Sequence, residues 1–303
     1  MDTADGSRAA AGADTAPTVA RLVPPGDAQP LRGRYLNHRL HERMRSGGPF
    51  VYTNFIASLD GRISWKNPQG FREVPPACTN PHDLRLYHEL AAQAEVLLTS
   101  TRHLRAAAAG RGSDMLCFGE HAAELTAWRR NNGLPDRPRV AAVSASLDLP
   151  PQDRLPNLAG QITILTWGRP EADRLARARE QGYEVRVCGE GPEMDGGELL
   201  AGLEACLTVC SVAGPRVHTA LLRAGRLDRL YLTLVPLLLG GESVDTLTSG
   251  SPLAPPPCFQ LTELWQDARE PPGCGQFFAV FDAARAREPR GPVRDSVGTV
   301  IEE

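Results

Sequence analysis

Short apolar segments alternate with helical segments from Phe50 onward, and this order limits most strongly how the chain can fold. Strands are predicted over 50–57, 95–99, 139–144, 162–166, 183–187 and 207–212, and helices over 81–93, 120–130, 171–181, 196–206 and 216–224. Short apolar strands separated by helices are typical of a parallel sheet that is covered on both faces. The sequence therefore predicts an α/β fold.

The last three predicted strands lack long helices between them. They cover residues 230–235, 260–266 and 276–282. Strands without crossover helices pair most simply as antiparallel neighbours. We therefore expect a mixed, mostly parallel sheet whose C-terminal strands are antiparallel, with helices on both faces.

The two ends of the chain differ in composition from its centre. Residues 1–34, rich in Ala, Asp, Gly and Pro, are predicted to be a disordered extension, because they offer little apolar surface to offset chain entropy. A short helix is expected within 31–46. Residues 284–303 are predicted to be a loose tail, and residues 35–283 a single domain.

The charge and cysteine content narrow the class of protein. There are 33 basic and 36 acidic residues, a balance that argues against binding of nucleic acid through a basic face. No signal peptide is recognisable, and the longest apolar run, 230–239, contains Pro236 and is too short to cross a membrane. Seven scattered cysteines without a CxxC motif indicate a reduced, cytoplasmic protein.

The first candidate site lies where strand 50–57 ends. Asn54 stands in an otherwise apolar strand, and Ser58 and Asp60-Gly61 follow it. A buried amide must be hydrogen-bonded, and a ligand is one available partner. The functional hypothesis places Asn54 and Ser58 in a pocket under a loop formed by residues 60–66. The alternative is a strand followed by an ordinary tight turn.

Three more strand ends carry polar residues just before a helix. Hydroxyls and free N–H groups in the run 99–102 suit a phosphate, although simple N-capping satisfies the same donors. Arg169 could meet a phosphate and Trp167 could stack on a base, or both could be ordinary surface residues. Gly214 permits close backbone approach, and the helix that follows Pro215 favours a diphosphate at its N-terminus.

Several well-known motifs are absent. The chain has no GxGxxG before a helix, no GxxxxGK[ST], no GxSxG and no HExxH. We therefore predict no metal site, and we assign no residue as a catalytic acid or base. Lys66 is the only lysine. Any bound anion must consequently be met mainly by arginines, hydroxyls and helix N-termini.

Three segments carry a resemblance to a known family. They are NFIASLDGRI at 54–63, EVLLTST at 95–101, and the stretch 213–241, which runs from a Gly-Pro turn through a helix and a strand to Pro-Leu-Leu-Leu-Gly. Together these segments resemble the reductase domain of riboflavin biosynthesis, which belongs to the dihydrofolate-reductase-like family. The resemblance covers most of residues 50–283.

The resemblance implies a fold, a reaction and a set of contacts. The fold would be a dihydrofolate-reductase-like three-layer α/β/α sandwich. The reaction would be NADPH-dependent hydride transfer to the ribose of 5-amino-6-(5-phosphoribosylamino)uracil. The family is often dimeric, and the apolar segment 230–239 is a candidate contact. The implied substrate contacts are Asn54, Ser58, Asp60 and Arg62, and the implied cofactor contacts are Thr99, Ser100, Thr101, Thr166, Arg169, Ala213, Gly214, Pro215 and Arg216.

Three departures from the family pattern leave alternatives open. Val212 stands where the family usually has an acidic residue, Leu90 lies near the position of a usual Arg, and the 105–118 loop lacks the Asp-Pro motif and its following Arg. Arg105 or Arg111 could substitute for that Arg. The zinc deaminase signature of the family's frequent fusion partner is also missing. The alternatives are a reductase of a different small substrate and a non-catalytic nucleotide-binding protein.

Overall fold

The protein is described by a computed structural model that covers residues 16–68, 70–111, 115–155, 158, 162–203 and 205–284. The described elements alternate along the chain much as the sequence predicts. The strands are β1 (Thr18–Val23), β2 (Gly26–Pro30), β3 (Phe50–Ser58), β4 (Ser64–Lys66), β5 (Arg72–Glu73), β6 (Val96–Ser100), β7 (Arg139–Val143), β8 (Ile162–Thr166), β9 (Glu184–Val187), β10 (Thr208–Ser211), β11 (Arg229–Val235), β12 (Val244–Asp245), β13 (Phe259–Asp267) and β14 (Gln276–Ala283). The helices are α1 (Pro81–Gln93), α2 (Thr101–Ala108), α3 (Ala122–Asn131), α4 (Ala172–Glu180), α5 (Gly196–Ala201) and α6 (Pro215–Arg223).

Eleven strands form one large sheet in the order β2-β1-β13-β14-β11-β3-β10-β6-β7-β8-β9. Every neighbouring pair from β11 to β9 is parallel, whereas β14, β13, β1 and β2 join as antiparallel strands. The predicted mixed sheet with antiparallel C-terminal strands is therefore confirmed.

The helices cover both faces of this sheet. On one face, Tyr52 and Leu97 pack in a single core with residues of α1 and α3. On the other face, Val51 and Leu98 pack with residues of α5 and α6. Alternate side chains of a strand point to opposite faces, so neighbouring residues of β3 and β6 serve different cores. The predicted α/β/α layering is confirmed.

Helix α1 shows why local sequence signals succeeded here. It covers the predicted residues 81–93, with Pro81 at its first position and an extended residue, Ala94, as its C-cap. The N-cap is Asn80, whose Oδ1 accepts a hydrogen bond from Asp83 N at 2.9 Å. Thr79 lies one residue before this cap, and its hydroxyl donates to the Pro75 carbonyl at 3.3 Å.

The prediction of disorder over 1–34 is wrong for the part that the structure describes. Residues 18–30 form β1 and β2, and β1 pairs with β13 at the edge of the large sheet. This segment offers little apolar surface, but backbone hydrogen bonds to β13 and the burial of Val19 stabilise it in an ordered conformation. Residues 1–15 and the tail from 285 lie outside the described residues. The short helix expected within 31–46 is instead two single 3-10 turns, 36–38 and 40–42.

A second, three-stranded sheet, β12-β4-β5, was not predicted. Strand β4 lies within the expected 60–66 loop, and β5 and β12 are later strands of two residues each. Strands this short carry almost no periodic signal in a sequence. The small sheet matters because Ser64, Arg72 and Asp245 bring it to the edge of the clefts described below.

Candidate active site

The order of the parallel strands reverses between β6 and β10, and two helices begin at this point. The chain leaves β6 through α2 toward β7 on one side, and leaves β10 through α6 toward β11 on the other. In open α/β sheets, a crevice forms beyond the strand ends where the connections diverge, and ligands bind there. Helices α2 and α6 start at Thr101 and Pro215, directly at this crevice.

Neither helix has a side-chain cap at its N-terminus. Ser100 is the N-cap residue of α2, but its hydroxyl makes no capping bond and is buried without a partner. Gly214 occupies the N-cap position of α6. Uncapped N–H groups and the positive end of the helix dipole favour an anion, and two such ends meet here.

Two adjoining clefts lie at the crevice, and we name each after one lining residue. The Asp83 cleft, of about 200 Å³, lies between β3, α1 and the start of α6. The Trp167 cleft, of about 490 Å³, runs past the starts of α2 and α6 to Trp167. Their shared border is formed by Arg72, Arg102, Gly214, Pro215 and Asp245.

The border between the clefts carries an excess of positive charge. Asp245 accepts a hydrogen bond from the Ser64 hydroxyl at 2.6 Å and lies 3.0 Å from Arg72 and 3.8 Å from Arg102. One carboxylate is therefore shared between two guanidinium groups. Arg216, on the first turn of α6, is exposed at the same edge. This charge balance suits a phosphorylated ligand.

Most of the cofactor residues implied by the resemblance come together here. Ser100, Thr101, Gly214, Pro215 and Arg216 line the Trp167 cleft. Ala213 lines the Asp83 cleft beside them. Their common position follows from the parallel register, because β6 and β10 end side by side.

Three residues of the same group lie elsewhere. Thr99 is fully buried, and its hydroxyl lies 2.6 Å from His103 Nδ1, so it supports a cleft residue rather than lining the cleft. Thr166 is buried at the end of β8, with its hydroxyl unpartnered. Arg169 is exposed beyond the lining of both clefts. The roles assigned to these residues stay predictions.

The four substrate residues separate into two groups. Asn54 lines the Asp83 cleft. Ser58 and Arg62 instead join Asp60 in a turn, where the Ser58 hydroxyl donates to Asp60 Oδ1 at 2.5 Å and Arg62 N donates to Ser58 Oγ at 3.0 Å. Asp60 also accepts the backbone N–H of Gly240 at 2.8 Å. These bonds, led by that of Ser58, hold the pKa of Asp60 well below its usual range.

Ser58, Asp60 and Arg62 therefore tie the end of β3 to the segment after β11 and do not line the cleft. The alternative of an ordinary tight turn describes this placement well. The predicted contact of these three residues with substrate stays a prediction.

Two titratable residues of the Asp83 cleft were not singled out from the sequence. Asp83 lies on the first turn of α1, and burial raises its pKa to about 6. His103 lies on α2, and burial, aided by Arg102, lowers its pKa to about 4, so its ring is neutral at physiological pH. Perturbed groups in a cleft are candidates for function. The only sequence signal for Asp83 was its position near a helix start.

The residues that depart from the family pattern lie at different places in and around the two clefts. Val212 is buried and lines the Asp83 cleft, and Leu90 is a core residue of α1. Arg105 is bound to Asp148 at 2.9 Å and lines only the Trp167 cleft. Arg111 lies over the Phe71 ring, outside both linings.

Residues 49–270 match the family model of the RibD C-terminal domain. The riboflavin biosynthesis protein RibD of Escherichia coli (strain K12) is 27% identical over 241 residues, which cover 76% of this chain and 60% of that protein. The matched part of the chain thus spans less than two thirds of that relative.

Solved structures share the fold at low sequence identity. A pyrimidine reductase-like protein from Corynebacterium diphtheriae matches with a TM-score of 0.58 at 17% identity, covering 78% of this chain and 93% of that one. The riboflavin biosynthesis reductase of Saccharomyces cerevisiae matches with a TM-score of 0.51 at 16% identity, covering 83% and 99%. The resemblance stated from the sequence, and the fold expected from it, are confirmed.

Within the residues that the structure describes, no helix is both long and apolar enough to cross a membrane.

Proposed function

The chain belongs to the RibD C-terminal domain family, and from this membership we propose that it is an NADPH-dependent reductase of a pyrimidine intermediate in riboflavin synthesis. The proposed substrate is 5-amino-6-(5-phosphoribosylamino)uracil or a close derivative, reduced at its ribose. The observation that carries the proposal is the meeting of two uncapped helix N-termini at one crevice. We further propose a cytoplasmic location.

The Trp167 cleft fits a dinucleotide. The unpartnered Ser100 hydroxyl and the N–H groups at the starts of α2 and α6 would hold the diphosphate. A Cβ atom added at Gly214 would lie only 3.0 Å from Arg102 Nη2, so glycine leaves the room that a close backbone approach needs. The half-buried Trp167 offers an aromatic face for the adenine.

The bound cofactor would supply the hydride, and the protein's own work is alignment and charge compensation. Gly214 and Pro215 form the wall between the two clefts, where a nicotinamide could meet a substrate, and Ala213 lines the Asp83 cleft beside them. Arg72 and Arg102 lie on the same border and would compensate a substrate phosphate. Apolar residues that line the Asp83 cleft, such as Ile56, would exclude water from the path of the hydride.

The proposal is tested with the purified chain of residues 1–303. We expect NADPH to bind and to be oxidised when the phosphoribosylamino-pyrimidine is added, which is followed by the loss of the reduced cofactor's near-ultraviolet absorbance. Binding should be compared with NADH, because the preference for NADPH is part of the proposal. Failure to bind either cofactor would refute it and favour a non-catalytic protein.

A reductase of a different small substrate is the second candidate. It is favoured by Val212, an apolar residue in the cleft at the position where the family pattern has an acid. It is also favoured by the pairing of Arg105 with Asp148, which leaves Arg105 outside the Asp83 cleft. Oxidation of NADPH with other pyrimidines, but not with the phosphoribosylamino compound, would support this candidate.

We also propose a homodimer. The segment after β11 exposes Leu238 to 76%, which is unusual for a large apolar side chain. Light scattering of the purified chain would give its mass in solution, and a monomer at micromolar concentration would refute the dimer.

A further inference from the structure

Asp245 places a negative charge at the border of two clefts that are proposed to bind anions. It is the last residue of β12, where it pairs with Ser64 of β4, and it lines both clefts. An acid that stands among groups attracting a phosphate opposes the binding of that phosphate. The proposed hydride transfer gives Asp245 no task that would offset this cost.

The small sheet fixes the position of the Asp245 carboxylate. The Ser64 hydroxyl donates to Asp245 Oδ2 at 2.6 Å, and Arg72 Nη1 of β5 lies 3.0 Å from Asp245 Oδ1. The backbone is held as well, because the Asp245 carbonyl accepts a hydrogen bond from Ile63 N at 2.9 Å. Each carboxylate oxygen therefore has a partner within or beside the small sheet, and the carboxylate is a fixed charge.

Arg102 of α2 is a loosely held partner of the same carboxylate. Its Nη1 lies 3.8 Å from Asp245 Oδ2, and its side chain is 43% exposed. An exposed ion pair at this distance contributes little net stability. Arg102 can therefore exchange Asp245 for another anion at low cost.

The same side chain stands in front of the start of α6. Arg102 Nη2 is 3.0 Å from the position that a Cβ atom of Gly214, the N-cap of α6, would take. Helix α6 has no side-chain cap, and the Ser100 hydroxyl at the start of α2 is buried without a partner. Arg102 thus lies between the Asp245 carboxylate and the helix N-termini to which a phosphate would bind.

We propose that Asp245 is a positioning residue that latches Arg102 across the start of α6, and that a phosphate group enters by taking Arg102 from Asp245. The inference rests on the proposed function for the nature of the anion, which is either the diphosphate of the cofactor or the phosphate monoester of the substrate. The internal carboxylate and the ligand compete for one guanidinium group. Asp245 therefore lowers the affinity for the anion, because only the unlatched state binds it.

The experiment titrates inorganic pyrophosphate and, separately, ribose 5-phosphate into the chain of residues 1–303 at pH 7.5 and low ionic strength, with calorimetric detection. In Asp245→Asn we expect at least one of these anions to bind about three- to five-fold more tightly, because a neutral amide competes poorly for Arg102. The anion that gains affinity identifies the source of the phosphate group. Asparagine keeps an oxygen that can accept the Ser64 hydroxyl, so the small sheet should keep its fold.

A double-mutant cycle tests whether Asp245 acts through Arg102. In the Arg102→Gln background, Asp245→Asn should change the affinity by less than about 1.5-fold, because there is no guanidinium group to release. An undiminished gain in this background would mean that Asp245 repels the anion directly, and it would overturn the latch.

Glu73→Gln is the matched control for the loss of one negative charge. Glu73 is also a carboxylate of the small sheet and lines the Asp83 cleft, but it accepts a hydrogen bond from Asn67 Nδ2 at 2.9 Å. This variant should bind both anions as the wild type does. A gain equal to that of Asp245→Asn would overturn the assignment to Asp245.

The remaining outcomes separate this inference from the proposed function. Unchanged or weaker binding of both anions in Asp245→Asn, or binding of neither anion by either protein, overturns the latch. The same result together with NADPH binding leaves the reductase proposal intact. Anion binding that tightens through Asp245→Asn in a chain that binds neither NADPH nor NADH would support the latch and refute the reductase.

Discussion

The guanidinium group of Arg102 lies against Gly214, so that a Cβ atom at position 214 would be 3.0 Å from Arg102 Nη2. Arg102 belongs to α2 and Gly214 caps α6, so this approach joins the two helix starts that form the candidate anion site. A side chain at position 214 must displace the arginine and fill the space in front of the α6 N–H groups.

The first prediction concerns Gly214→Val. We expect its affinity for NADPH to fall by at least about ten-fold, because the branched side chain blocks the approach of a diphosphate to the α6 backbone. The free energy of unfolding should change little, since Arg102 is partly exposed and can move. Fluorescence titration measures the affinity, and urea unfolding checks the fold.

The control for this substitution is Gly191→Val. Gly191 is exposed, its φ is not positive, and an added Cβ would meet only the Glu193 carbonyl at 3.8 Å. It should therefore bind NADPH as the wild type does. Unchanged affinity in Gly214→Val would show that the diphosphate lies elsewhere.

The second prediction concerns Trp167. If a tryptophan stacks on the bound cofactor, its fluorescence should be quenched, because the excited indole transfers energy to the reduced nicotinamide. We expect Trp167→Phe to remove most of this quenching and to weaken binding about three- to ten-fold, in line with the loss of part of an aromatic stacking contact. Trp128→Phe is the control, because Trp128 packs against His41 in the core beneath α1 and α3. Equal quenching in both variants would contradict the placement of the adenine.

The strand and helix order was predictable from the sequence because it depends on local patterns. Strand β8 and helix α1 have their predicted bounds, since apolar runs and an N-terminal proline mark them. The N-terminal hairpin was missed because its order comes from pairing with β13, more than 200 residues away. No local pattern reports a partner at that separation.

The candidate site was predictable only in part, for a related reason. Ser100 and Gly214 stand at strand ends, and parallel strands bring such ends together without further information. Burial raises the pKa of Asp83, and the Thr233 hydroxyl, which lies 150 positions later on β11, partly offsets this by hydrogen-bonding the carboxyl group. A raised pKa is a property of packing, and the sequence showed only an acid in the first turn of a helix.

The third prediction uses that pKa. Burial raises the pKa of Asp83 to about 6, whereas the unfolded chain has the usual value near 4. Because the folded value is raised, the stability contributed by Asp83 is present below about pH 4 and is lost as the pH rises through 6. Asp83→Asn should therefore increase the free energy of unfolding by about 1–2 kcal/mol at neutral pH, less than the full shift implies because the side chain is partly exposed.

Urea unfolding at about pH 4 and pH 7.5 tests this prediction. The gain in Asp83→Asn should be present at the higher pH and close to zero at the lower one. A variant that is less stable than the wild type at pH 7.5 would show that the carboxylate is compensated by the protein itself.

The last prediction concerns Glu89, which holds the N-terminal segment to α1. Its carboxylate is fully buried and accepts hydrogen bonds from the backbone N–H of Gly33 at 2.5 Å, from that of Tyr35 at 2.8 Å, and from Arg85 Nε at 2.9 Å. In Glu89→Gln an amide N–H₂ group must face one of these donors, so we expect a loss of about 2–4 kcal/mol of stability.

Glu124→Gln is the control, because it alters a more exposed partner of the same Arg85 and should cost about 1 kcal/mol or less. Hydrogen exchange at the Tyr35 amide should accelerate at least about ten-fold in Glu89→Gln alone, because the retained amide oxygen stays with the charged Arg85 and the N–H₂ group then faces the Tyr35 amide. Equal exchange in the two variants would mean that β1 and β2, rather than Glu89, hold this segment in place.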